Sequence, residues 1–170
     1  YGNLSSYLEQ ATPTPAQIMQ IAYQLASSLS YLEDNNLIHT DLKRGNILVH
    51  HCNFKIWLSD FDSLESVSSN RLIACRPQLF GNVCHIPPEA RVAIGGGRGA
   101  LVPMAGVHAF ACALIVLHVT CGTSVFENYE SCPESIEDSH ASIKADGSIG
   151  RNYLEGKGLP DWFVSLLIAM

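Results

Sequence analysis

Between two apolar runs, the stretch LIHTDLKRGNILV (residues 37–49) sets an acid, a base and an amide, Asp41, Lys43 and Asn46, within six residues. Burying such groups without partners is costly, so the chain must lift them into a loop while both flanks join the core. The next residues narrow the geometry. Ile47–His50 and Phe54–Ser59 are short β-type runs joined by a polar turn at His51–Asn53, which predicts a hairpin. A hairpin returns the chain to its starting edge, so Asn46, just before the first strand, and Asp60, just after the second, are expected at the same open end. Asp41 and Lys43 approach that end from upstream. Two carboxylates, an amide oxygen and an ammonium then converge without any long-range assumption. Hard oxygen ligands in this number suit Mg²⁺, which takes one or two carboxylates and completes its shell with substrate phosphates. The other carboxylate can orient or deprotonate a hydroxyl, and a lysine can steady a transferring phosphoryl group. Phosphoryl transfer is the chemistry this pattern supports.

The rest of the chain supplies a frame. Thr14-Pro15-Ala16-Gln17 reads as a capping box with proline at the first helical position. Ile18, Ile21, Ala22, Leu25, Leu29 and Leu32 then repeat at steps of three and four, predicting an amphipathic helix of about five turns that Asp34-Asn35-Asn36 ends. Residues 62–104 show little periodicity and are read as a long, partly irregular segment. AFACALIVLHV (109–119) is apolar nearly all round and too short to span a bilayer, so a buried core helix is expected and no membrane-spanning segment. Residues 127–158 read as polar loop, and a last helix begins near Pro160, with Phe163, Leu166, Leu167 and Met170 at helical spacing. A chain of 170 residues accommodates one domain. Its net charge of −6, with no Lys/Arg cluster, argues against a nucleic-acid surface. The six cysteines form no C-x-x-C pair, which leaves free thiols as the plain reading. His50, His51 and Cys52 are adjacent in a turn and point apart, so a zinc site is not expected; His108 and His118 read as core packing. The opening on Tyr1 and an apolar helix with no stop signal read as a fragment of a longer protein.

On these residues the chain resembles the eukaryotic protein kinases. HTDLKRGN is similar to the catalytic loop H-R-D-L-x-x-x-N, SDFD to the D-F-G metal motif, and IPPEA (86–90) to the A-P-E motif closing the activation segment. The resemblance implies a mainly α fold with a small β-hairpin: the C-terminal lobe of a kinase fold, residues 1–170, with the N-terminal lobe absent. Within it, 1–12 would come after the inter-lobe hinge, 37–62 would form the catalytic loop and metal motif, and 62–90 the activation segment. Residues 105–121 would be the core helix and 160–170 a truncated one. By the same resemblance Asp41 would be the catalytic base, Lys43 would contact the γ-phosphate of ATP, and Asn46 and Asp60 would hold Mg²⁺, with Asp62 a further candidate ligand. His39 would be structural. A Ser/Thr hydroxyl of a protein substrate is the implied acceptor.

Departures from the family pattern bear on activity. Thr40 stands where many kinases have the arginine that binds an activation-loop phosphate. Asp62 replaces the glycine of D-F-G, where unusual backbone angles are needed. Gly106, in GVHAFA, replaces an aspartate that braces the catalytic-loop backbone, so that loop is expected to be held less rigidly. No Gly-rich phosphate-covering loop or V-A-I-K-type lysine occurs in the chain, so this fragment alone is not expected to be active; GGGRG (95–99) lacks the G-K-[ST] ending. Two alternatives stay open: a pseudokinase serving as a binding module, and a small-molecule phosphotransferase of the aminoglycoside-kinase type, against which IPPEA counts. The HTD loop also bears a faint likeness to secreted rhoptry kinases of apicomplexan parasites. Compartment, with cytoplasmic as the default, and oligomeric state are open.

Overall fold

The computed structural model of the chain describes residues 2–50, 52–75, 79–80, 85–95, 101–121, 154 and 156–169. A two-residue strand, β1 (Gly2–Asn3), leads into helix α1 (Leu4–Gln10), whose first turn is capped by the Asn3 side chain accepting from Ser6 N at 2.8 Å. Helix α2 (Pro15–Asp34) starts at the expected capping box: Thr14 N donates to Gln17 Oε1 at 2.7 Å and Gln17 N to Thr14 Oγ1 at 3.4 Å. Its buried face is Ile18, Ile21, Leu25, Leu29 and Leu32, all members of the periodic set read from the sequence. Asn36, at φ 53°, takes the left-handed conformation that asparagine tolerates and turns the chain out of the helix.

Strand β2 (Leu37–His39) comes next, then a 3₁₀ turn (Arg44–Asn46), β3 (Ile47–Val49) and β4 (Ile56–Leu58). The last two form the expected hairpin, with Ile47 opposite Leu58 and Val49 opposite Ile56, and β1 adds a third strand on the free edge of β3. A second 3₁₀ turn (Phe61–Ser63) leads to β5 (Leu64–Ser66), which runs antiparallel to β2 with His39 opposite Leu64. Strand β6 (Leu72–Ala74), helix α3 (Pro88–Gly95) and strand β7 (Leu101–Pro103) precede the long apolar helix α4 (Met104–Cys121), and β6 pairs with β7. Helix α5 (Asp161–Ala169) is the last described element. The segment read as partly irregular contains β5, β6, α3 and β7. Three-residue strands are too short to show alternation, and their partners lie far off in sequence, so the pattern that reveals a long strand is missing.

The described chain is mainly helical with small antiparallel sheets. Its principal core lies where α2 crosses α4, joining Leu4, Ile21 and Leu25 to Ile115, Val116 and Phe163. Each such side chain contributes roughly 1.5–3 kcal/mol by leaving water. A second cluster, Ile38, Ile73, Ile86, Met104 and Val107, lies between β2 and the segment around α3. Tyr7 is buried and meets the Phe54 ring edge-on at 5.4 Å.

The hairpin is fixed to α2 by glutamine side chains. Gln24 Nε2 donates to Phe54 O at 2.8 Å, its Oε1 accepts from Ile56 N at 3.1 Å, and Gln20 Nε2 donates to Asn53 O at 3.1 Å. In α5, Phe163 and Val164 are buried while Leu166 is half exposed; the side chains of Leu167 and Met170 lie outside the described set. Cys52, Cys75 and Cys112 are free thiols, and burial pushes Cys112 up to about 11. Among the described residues, no helix is long and apolar enough to cross a membrane. Tyr1, His51, Cys84, Cys132, Gly96–Gly99 and most of the polar loop at 127–158 fall outside the described residues.

Candidate active site

The β2–β5 pair closes the neck of a loop. Just past it, Thr40 N and Thr40 Oγ1 both donate to Ser63 O at 2.9 Å, so Thr40 ties the loop shut directly. At the end of β2, His39 links two segments of the loop: its Nδ1 accepts from Asp41 N at 3.3 Å, and its Nε2 lies 2.9 Å from Ser59 O. With Nδ1 accepting, Nε2 is the donor to the carbonyl, and His39 is a fully buried connector.

Asp41, Lys43, Asn46 and Asp60 come together at the open end of the β3–β4 hairpin. Lys43 Nζ donates to Asp41 Oδ2 at 2.6 Å. Asn46 Nδ2 lies 2.8 Å from Asp41 O, 3.1 Å from Asp41 Oδ2 and 3.2 Å from Asp60 Oδ2, and divides its two hydrogens among them. Ser59 N and Ser59 Oγ donate to Asn46 O at 2.9 and 3.0 Å, locking the residue before Asp60 to the backbone of Asn46. The Lys43 side chain is 38% exposed, so the pair adds at most about 1 kcal/mol to the fold. Its effect is orientational. Asp41 Oδ2 is occupied, whereas Oδ1 is buried and has no hydrogen-bond partner among the described residues. A buried carboxylate oxygen left unpaired is expensive, and an incoming hydroxyl would satisfy it.

Asp60 adopts φ 63°, ψ 53°, a left-handed conformation costing of order 1 kcal/mol or more. Ser63 offsets part of this by donating its N–H to Asp60 O at 3.0 Å and its hydroxyl to Asp60 Oδ2 at 3.1 Å. The unusual backbone angle expected at position 62 thus falls at Asp60. Asp62 lies exposed in the ordinary 3₁₀ turn beyond it, outside the hydrogen bonds joining Asp41, Asn46 and Asp60.

One residue important to this arrangement is more than its sequence context suggests. His108, which reads as core packing, accepts from His39 N through Nε2 at 3.2 Å, and its Nδ1 lies 3.0 Å from Glu33 Oε1. An Nε2 that accepts carries no proton, so the contact with Glu33 is a hydrogen bond from neutral imidazole rather than an ion pair. Burial agrees, pushing the His108 pKa below its ordinary value against the opposing pull of Glu33. The loop backbone expected to be slack opposite Gly106 is therefore held from two positions further along α4. The only sequence signal is an isolated histidine on an apolar helix.

For a metal, the hard-oxygen donors at hand are the Asp60 carboxylate and the Asn46 amide oxygen, whose side chains meet through Asn46 Nδ2. Among the described residues no three His, Cys, Asp or Glu side chains gather into a metal-holding group. Mg²⁺ does not require one, because water and phosphate oxygens complete its shell.

Comparison with known proteins gives the family. Residues 1–167 match the protein kinase domain family. An Aurora kinase of Yarrowia lipolytica is 42% identical over 67 residues, 39% of this chain and 17% of the relative. The Aurora kinase of Schizosaccharomyces pombe is 35% identical over 89 residues, 52% of this chain and 24% of the relative. The serine/threonine-protein kinase dst4 of Dictyostelium discoideum is 49% identical over 39 residues, 23% of this chain and 8% of the relative. The chain thus spans a quarter or less of the length of these relatives. With the family matched over nearly its whole length, the chain belongs to the protein kinase domain family.

Proposed function

We propose that this chain is the C-terminal lobe of a kinase domain and that the intact protein transfers the γ-phosphoryl group of ATP to Ser/Thr hydroxyls of a protein substrate. The observation that carries this reading is the Asp41 carboxylate, with Oδ2 held by Lys43 and Asn46 and Oδ1 buried without a partner among the described residues. An acceptor hydroxyl placed at Oδ1 would be oriented for attack and give up its proton there as its oxygen bonds to phosphorus and the bond to the departing ADP breaks. Lys43, beside it, would stabilise the negative charge of the phosphoryl oxygens in flight. Asp60 and Asn46 would hold Mg²⁺, which when bound neutralises phosphate charge. The relative named serine/threonine-protein kinase dst4 supports the acceptor class.

The test uses the full-length protein with ATP, Mg²⁺ and a general protein substrate. Transfer onto Ser/Thr is expected, and Asp41→Asn should lower turnover by about 10²-fold or more. Unchanged turnover in that variant would remove Asp41 from the mechanism. A second reading, a pseudokinase acting as a binding module, is favoured by Asp62 and Thr40 at positions where the family pattern has Gly and Arg. Nucleotide binding without phosphoryl transfer would select it.

A further inference from the structure

Glu33, His108 and the loop backbone form a chain of hydrogen bonds with one direction. The His108 Nδ1–H donates to Glu33 Oε1 at 3.0 Å, which leaves Nε2 bare to accept from His39 N at 3.2 Å. His39 then passes the constraint on through its own ring, to Asp41 N on one side and Ser59 O on the other. The His108 and His39 links are buried, and Glu33 is largely shielded. We propose that Glu33 and His108 are positioning residues for Asp41: Glu33 selects the His108 tautomer, and His108 anchors the backbone from which Asp41 projects. The other polar contacts of the loop do not substitute for this anchor. Thr40 ties to Ser63 and Asn46 holds the Asp41 carbonyl and carboxylate, so among the described residues the His39 N–H is left to His108.

The catalytic consequence rests on the kinase reading above; the anchoring does not. In the full-length protein, His108→Ala should speed amide hydrogen exchange at His39 about tenfold or more. It should also lower kcat about tenfold, with little change in KM for ATP. His108→Gln, whose amide oxygen can accept where Nε2 did, should recover most of both. Glu33→Gln keeps an acceptor for Nδ1–H and should stay near wild type, whereas Glu33→Leu should behave like His108→Ala. If His108→Ala does not fold, the comparison of Glu33→Leu with Glu33→Gln decides the matter. Unchanged exchange at His39, or a kcat loss that the glutamine variants do not recover, overturns the proposal. A wild-type protein with no phosphoryl transfer overturns the kinase reading instead, and the exchange measurements alone then judge the anchor.

Discussion

His118 is the most strongly displaced titrating group described. It is fully buried in α4, and desolvation, with lesser contributions from the Arg44 and His85 charges, lowers its pKa to about 3. Between pH 6.5 and about 3 the unfolded chain therefore binds a proton that the folded chain refuses. Unfolding free energy falls as pH falls through that window, by up to about 1.4 kcal/mol per unit for this group, and is indifferent to it above pH 6.5. His108 acts in the same direction. Urea unfolding at pH 7.5 and 5 should show the loss, and His118→Leu should flatten it; an equal slope in both proteins would refute this account. At this scale the sequence is informative where chemistry is local. Asp41, Lys43, Asn46 and Asp60 are legible because a loop and a hairpin bring them together. His108 is not, because its partner Glu33 is 75 residues away and nothing near either one marks the pair.

Elements are legible in proportion to their length and their self-sufficiency. Helix α2 carries its own start signal, its own periodicity and its own stop, so its limits can be read directly. The strand β2 has three residues, and its partner β5 falls in the segment read as partly irregular, since neither has a pattern apart from the other. The clamp between α2 and the hairpin is also hidden, because Gln24 reads as a solvated face until Phe54 and Ile56 are placed against it. Gln24→Ala removes both its bonds to the hairpin and leaves the part-buried Phe54 carbonyl and Ile56 N–H to find water. A stability loss of about 1–3 kcal/mol is expected by denaturant titration. A cost within about 0.3 kcal/mol would mean that Gln24 adds little to the hold that β1, Gln20 and the Tyr7–Phe54 contact already give the hairpin.

At the scale of the molecule, the crossing of α2 and α4 determines where the site lies, since both helices reach the loop: α2 through Glu33 and α4 through His108. The apolar run of α4 is recognisable as core, but no sequence pattern announces which helix it meets. Leu25, fully buried at that crossing, should cost about 2–5 kcal/mol on substitution by alanine, a cavity that neighbouring side chains fill only partly. Thermal unfolding measures it, and a smaller loss would show that the crossing can collapse around the gap. The same variant should disturb the exchange of the His39 amide less than His108→Ala does, since packing is not the contact that holds it.

The tie between Thr40 and Ser63 has a consequence for how the site comes into being. The two residues are 23 positions apart, and Asp41, Lys43, Asn46 and Asp60 all fall between them. Closing so short a span sacrifices little chain entropy, so the site can assemble from neighbours before distant segments find their places. The register of these four groups relative to one another is then set within the span itself. What comes from outside it is the anchor of the His39 backbone, through His108 and Glu33, so changes elsewhere in the chain reach the cluster chiefly by way of those two residues.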